Sequence, residues 1–338
     1  MSPIPVNNTP SRQCGMTLIE LMVAMTISLA MVAALTVLLA NNSKTHKDLD
    51  RTSRQTENGR YAVELLSDDV QLAGYYGELP SSGANGQFVS ADPCATALAA
   101  LGFSNAPGAI TAPYAIQGYA GTVTDPAPVC ATDHKTDTAV VVVRRLATDV
   151  TALADLAAGN GYVQTSRCDT DPVMTPFIFS DTDADFILRA HGCVNIMEIR
   201  RYVTRMYYVA DCDVCGQDSI PTLKRVELLD GALVTTPLAE GVEDMQLEYG
   251  FDTNHDGAPD VYRTGLNGVA GSPENDWSNV LAARIVLLSR TTDETPGYVD
   301  QKVYHLGLAG DRGPYNDPFK RRAFVQLARL INPSGWRE

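Results

Sequence analysis

Residues 16–40 read MTLIELMVAMTISLAMVAALTVLLA, and this stretch decides the architecture. Between Leu21 and Ala40 only Thr26, Ser28 and Thr36 interrupt the apolar run, and such hydroxyls can bond back to carbonyls of their own helix. About twenty helical residues at about 1.5 Å each span roughly 30 Å, the thickness of a bilayer's hydrocarbon core. The stretch reads as a membrane helix. A secretory signal peptide would instead carry a basic leading segment, a shorter apolar core and a small-x-small cleavage site. Here the run is too long, and NNSKTHKDLD (residues 41–50) offers no such site. Glu20 is out of place in lipid. It reads as a carboxylate without a partner in its own helix, to be paired by something outside it.

Upstream, residues 1–15 (MSPIPVNNTPSRQCG) are polar, with Arg12 as their only charge, and Cys14 is no lipoprotein cysteine because no apolar segment precedes it. The string Gly15-Met16-Thr17-Leu18-Ile19-Glu20-Leu21 resembles the type IV prepilin signature, a short polar leader ending in Gly before a long apolar helix. The resemblance implies cleavage between Gly15 and Met16 by a prepilin peptidase, N-methylation of Met16, and a part for Glu20 in filament assembly. Family members most often carry Phe at the first mature position, so Met16 is a mild departure. The resemblance also implies a single pass through the inner membrane with a periplasmic C-terminal domain, followed by transfer into a pilus at the cell surface. One count points the other way. Lys44, Lys47, Arg51, Arg54 and Arg60 follow the apolar run, against Arg12 before it, and the positive-inside tendency would put the C-terminal domain in the cytoplasm. Large domains translocate despite such charge, and the cysteines favour export.

From Ala40 the chain holds no proline until Pro80. Tyr61, Leu65, Leu72 and Tyr76 form one line at helical spacing, with Ala62, Leu66, Val70 and Ala73 beside it, so an amphipathic helix is expected to continue to about residue 75. Gly74, Gly77 and Pro80 supply its stop. Residues 78–137, rich in Gly, Pro, Ala and Ser, read as loops with little regular structure. Strand patterns then follow at Thr138–Arg144, Tyr202–Val209, Leu223–Leu229, Val242–Tyr249, Val280–Leu288 and Phe324–Ile331. In the fourth, Asp244, Gln246 and Glu248 alternate with apolar residues, the pattern of a half-buried strand. Strands without intervening helices indicate an antiparallel sheet. The expectation is an α+β fold: leader 1–15, membrane or filament-core helix 16–40, amphipathic continuation 41–77, and an extracytoplasmic antiparallel domain over 78–338.

Three distal stretches, Glu64–Gly77, Glu240–Asp260 and Arg321–Asn332, resemble the PilW-type minor pilins of type IV pili. The resemblance implies a structural subunit that helps initiate pilus assembly in a tip complex, with other minor pilins, the major pilin and the prepilin peptidase as partners. Two alternatives stand beside it: a type II secretion pseudopilin, and a tip adhesin that contacts a surface or receptor through residues 78–200.

A formal net charge of −14 argues against a phosphate-binding surface, so nucleic acid is not an expected partner. The short basic runs Arg144-Arg145, Arg200-Arg201 and Lys320-Arg321-Arg322 read as solvated strand ends. No nucleophile elbow, P-loop or zinc-protease motif occurs, the five histidines have no ligand-like spacing, and no enzyme activity is expected. Cys14 leaves with the leader, and six thiols in an exported domain suggest three disulfides. Nearest-neighbour pairing gives Cys94–Cys130, Cys168–Cys193 and Cys212–Cys215, with zinc on Cys193, Cys212 and Cys215 as the rival. Asp252, Asn254, Asp256, Ala258 and Asp260, with Gly257 at the sharp bend, match the first nine positions of a calcium loop. Position 12 is Arg263 rather than a bidentate Glu, and the same residues suit a hairpin turn. The sequence leaves both readings open.

Overall fold

A computed structural model describes residues 15–77, 86–106, 109–171 and 177–335. The chain divides into two compact units, Met1–Asp50 and Arg51–Glu338. The leader apart from Gly15 lies outside the described residues. Helix α1 (Leu18–Leu72) runs unbroken through the boundary between the units. In the first unit every residue from Gly15 to Lys47 is exposed. The hydroxyls of Thr26, Ser28 and Thr36 donate to the carbonyls of Val23, Ala24 and Ala33 at 2.9, 2.7 and 2.8 Å, so the segment presents almost no unsatisfied polar group to its surroundings. It is long and apolar enough to cross a membrane.

In the second unit the last turns of α1 and the chain just beyond bury one stripe. Ala62, Leu66, Val70 and Ala73 are fully buried, whereas Tyr61, on the neighbouring line, is half exposed. The principal core therefore centres on the second line; of the first, Leu65 packs at its flank and Tyr76 is buried in a separate cluster. Gly74 takes a positive φ of 73° just past the helix, and its N–H donates to the Arg144 carbonyl at 2.9 Å, which turns the chain away where an L side chain would be strained.

The strands, in chain order among the described residues, are β1 (Gly86–Val89), β2 (Ser104–Ala106), β3 (Ala109–Pro113), β4 (Ile116–Tyr119), β5 (Val140–Leu146), β6 (Tyr162–Thr165), β7 (Phe177–Ser180) and β8 (Ile199–Ala210). There follow β9 (Thr222–Leu229), β10 (Ala232–Glu240), β11 (Val242–Phe251), β12 (Val261–Arg263), β13 (Val280–Arg290), β14 (Tyr304–His305), β15 (Asp311–Arg312) and β16 (Arg321–Arg329), before the short helix α2 (Ile331–Gly335). A seven-stranded sheet runs β10-β9-β8-β5-β4, with β6 joined to β8 and β7 to β6. A four-stranded sheet runs β12-β11-β13-β16. Both are antiparallel, and β1 against β3 in a small third sheet is a parallel pair. The fold is α+β, a long helix followed by a large antiparallel domain.

The principal core joins the α1 stripe to Val141 and Val143 of β5, Tyr207 and Val209 of β8, and Met245, Leu247, Ile285 and Leu287 of β11 and β13. Adjacent valines of β5 point oppositely, so Val140 and Val142 enter a second cluster with Met206, Tyr208 and Ala131. That explains the unbroken valine run: the strand is covered on both faces. Its outer cover comes from the segment read as loop, which also contains β1 to β4 and so has more regular structure than its composition suggests. Short strands such as Ser104–Ala106 carry too few residues for an alternation to register.

Two further readings are corrected. Arg144, Arg145 and Arg321 are buried rather than solvated. Each has fixed oxygen partners: Arg144 donates to Gln117 and the Ala91 carbonyl, Arg145 to Asp69, and Arg321 to Asp300 and Asp317. The polar alternates of β11 are buried too, because Asp244 and Glu248 pair with Arg312 and Arg284. Asp69 anchors the helix, accepting from Arg145 Nε at 3.0 Å, Arg205 Nη1 at 3.1 Å and the Tyr207 hydroxyl at 2.7 Å. Removing one member of a buried ion cluster strands the others without water. Asp69→Ala is expected to cost about 3–5 kcal/mol in denaturant unfolding of the second unit; a loss under about 1 kcal/mol would show that the cluster is not holding the helix.

Candidate functional site

Gly15 and Met16 precede α1 and are exposed. Nothing lies within 4 Å of where a Cβ on Gly15 would stand, and its φ is not in the left-handed region. No described part of the chain requires glycine there. Thr17 then caps the helix. The Glu20 carboxylate accepts from Thr17 N–H at 3.0 Å and from its hydroxyl at 2.9 Å, while Glu20 N–H donates to Thr17 Oγ1 at 3.3 Å. This reciprocal arrangement is a capping box, and it turns the carboxylate toward the helix N-terminus. Glu20 is thus not without partners in its own helix, though its partners are neutral donors and not a cation. The sequence reading passes over Thr17, which its T-x-x-E spacing to Glu20 could have marked.

The six cysteines that remain after Cys14 form three disulfides. Cys94 joins Cys130, Cys168 joins Cys193, and Cys212 joins Cys215, with Cα separations of 5.7, 5.0 and 5.0 Å. The first bond pins the covering segment beside the outer cluster, where Cys130 packs near Ala131. Asp133 lies with Cys212 and Cys215 in a metal-like grouping, but both sulfurs are already bonded to each other. Cys193, the third member of the zinc alternative, is bonded elsewhere.

The acidic loop follows β11 and leads into β12, the strands it connects as a hairpin. Asp252 is fully buried and accepts backbone N–H groups of His255 (2.6 Å), Asp256 (3.3 Å) and Gly257 (3.1 Å). Asp260 accepts from Thr253 N–H and hydroxyl, both at 2.7 Å, which lowers its pKa. The Asn254 amide nitrogen lies 3.1 Å from an Asp256 oxygen and 3.2 Å from an Asp260 oxygen. No described contact is given by the Ala258 carbonyl, though Ala258 N–H donates to Asp256 at 2.9 Å. These bonds close the loop as a turn.

Two family models match the chain. The prokaryotic N-terminal methylation motif covers residues 10–36, and Type IV Pilus-assembly protein W covers residues 206–332. Both matches support a PilW-type pilin of the type IV pilus. No curated protein and no solved structure matches it. The PilW match starts within β8 and contains the whole four-stranded sheet, so the matched part includes one wall of the helix core. The methylation motif contains Gly15, Met16, Thr17 and Glu20. Neither match reaches residues 37–205, which supply α1 beyond residue 36, the first two disulfides and the cover over β5. If the acidic turn serves only to close the hairpin, the chain melts at the same temperature in calcium and in chelator. A rise at millimolar calcium would show instead that Asn254 gives way to an ion.

Proposed function

We propose that the chain is a minor pilin of the type IV pilus that helps to initiate assembly and sits in the tip complex with other minor pilins and the major pilin. The observation that carries the reading is the capped N-terminus of α1, set on an apolar segment with every side chain exposed, in a chain whose distal part matches PilW. Such a surface requires cover. Lipid of the inner membrane covers it before assembly, and the apolar helices of neighbouring subunits cover it afterwards. A prepilin peptidase removes residues 1–15 and leaves a methylated amine at Met16, one residue before the Thr17 N–H that holds Glu20. A carboxylate taken out of water needs a cation, and this amine, of the same or a neighbouring subunit, is at the right end of the helix to supply it. Pairing between subunits would set their axial register.

Three disulfides fit an oxidising compartment, which supports a periplasmic second unit against the charge count around the membrane segment. The pilus reading is preferred to a type II secretion pseudopilin on the PilW match. Deletion is expected to reduce surface pili and twitching with secretion unaffected; a block in protein secretion with normal pili would reverse that preference. Glu20→Val, which keeps the helix apolar, is expected to insert in the membrane normally and to lose most of its incorporation into sheared filaments. Undiminished incorporation would remove Glu20 from assembly.

A further inference from the structure

A cleft of about 900 Å³ opens in the second unit between β4, the edge of the seven-stranded sheet, and β12, the edge of the four-stranded sheet. Its volume is within the range of small-molecule sites, roughly 300–1,000 Å³. Three half-buried tyrosines, Tyr114, Tyr119 and Tyr262, line it together with the buried Trp277. Each such ring offers an apolar surface, and each tyrosine adds a polar tip. Between the rings stand planar polar groups that are already held in place. Gln117 donates to Tyr119 Oη at 2.6 Å and to Ser90 Oγ at 3.1 Å, while its carbonyl accepts from the buried Arg144 at 3.1 Å. Asn267 donates to Ser272 at 3.0 Å, and Asp125 accepts from the Ala120 N–H at 2.6 Å.

The charges in the cleft do not select an ion. Arg263 is paired with Glu274, and Asp125 already accepts from the backbone. Behind Gly118 the cleft wall is tightly packed. A Cβ on Gly118 would strike the hydroxyl of Tyr249, which is 1% exposed and has no hydrogen-bond partner among the described residues. Tyr249 also meets Trp277 edge to face at 4.8 Å, so the floor and the aromatic wall are one packed unit.

Aromatic surfaces alternating with fixed amide and hydroxyl groups, and without net charge, match a ligand whose faces are C–H and whose edges are hydroxyl. We propose that this cleft binds a neutral saccharide. Lipid would find too many fixed polar groups there, and an anionic ligand would find the one guanidinium among the described lining residues, Arg263, engaged. The site stands independently of the assembly role, so its failure would leave that reading intact; its success would give the subunit an attachment function.

The test uses the full processed chain in phosphatidylcholine nanodiscs, which avoids sugar-based detergents. Lactose, maltotriose, cellotriose and chitotriose serve as probes in saturation-transfer NMR and calorimetry. At least one is expected to bind with a saturable, millimolar or tighter midpoint. Thr124→Trp, an exposed rim position, and Tyr119→Ala are each expected to weaken that binding by about tenfold or more, the first with unchanged melting. No transfer from any of the four at millimolar concentration would overturn the proposal, as would wild-type binding by Thr124→Trp.

Discussion

Asp69 is buried on the same stripe as Leu66 and Val70, and there it receives Arg145 from β5 together with Arg205 and Tyr207 from β8. The apolar part of the stripe supplies most of the driving force, but hydrophobic burial has no direction and would tolerate a helix turned or slid along the sheet. A carboxylate that must meet two guanidinium groups and a phenol tolerates neither. Glu227 extends the cluster by pairing with Arg201, Arg205 and Arg225, so strand β9 is tied to β8 by charge as well as by its backbone ladder. Elsewhere along the helix Gly59 permits the ring of Phe324 to approach where any Cβ would collide, which brings β16 onto the same side. The two sheets are therefore organised around one face of the distal part of α1.

That arrangement explains what could and could not be read from residues alone. The apolar run to Ala40 and the spacing of Ala62, Leu66 and Val70 are local signals, and the helix they indicate extends from Leu18 to Leu72. Strands β5, β8, β9, β11, β13 and β16 each carry a long β-branched or alternating run, and each lies within a few residues of its expected place. Buried arginines are a different matter. Arg145 and its partner Asp69 are 76 residues apart, and nothing near Arg145 indicates that a carboxylate will arrive. The same holds for Asp244 and Glu248, whose alternation imitates a solvated face because Arg312 and Arg284 cover them. At the acidic loop the ambiguity is chemical: Asp, Asn and Gly at that spacing serve a cation or an Asx-type turn equally well.

The two units answer to different surroundings. Up to Lys47 the helix has no side chain buried in its own chain, and beyond Gln55 it has a continuous buried face. A helix that is apolar all round is made to be surrounded, by lipid or by other helices. Its N-terminus carries Glu20 in a capping box, which gives the carboxylate neutral partners while the segment stands alone and keeps it directed toward the end where cleavage would create a charge. The second unit, by contrast, closes on itself through core, buried ion pairs and disulfides, and it exposes instead a polar-aromatic cleft between two sheet edges.

The account rests on an N-terminus that is processed, exported and assembled. Intact-mass and N-terminal fragment analysis of the native protein tests this most directly. The account predicts a chain that begins at N-methylated Met16, lacks residues 1–15, and is lighter by six hydrogens for its three disulfides. A native chain that retains residues 1–15 with an unmodified Gly15–Met16 bond would contradict it.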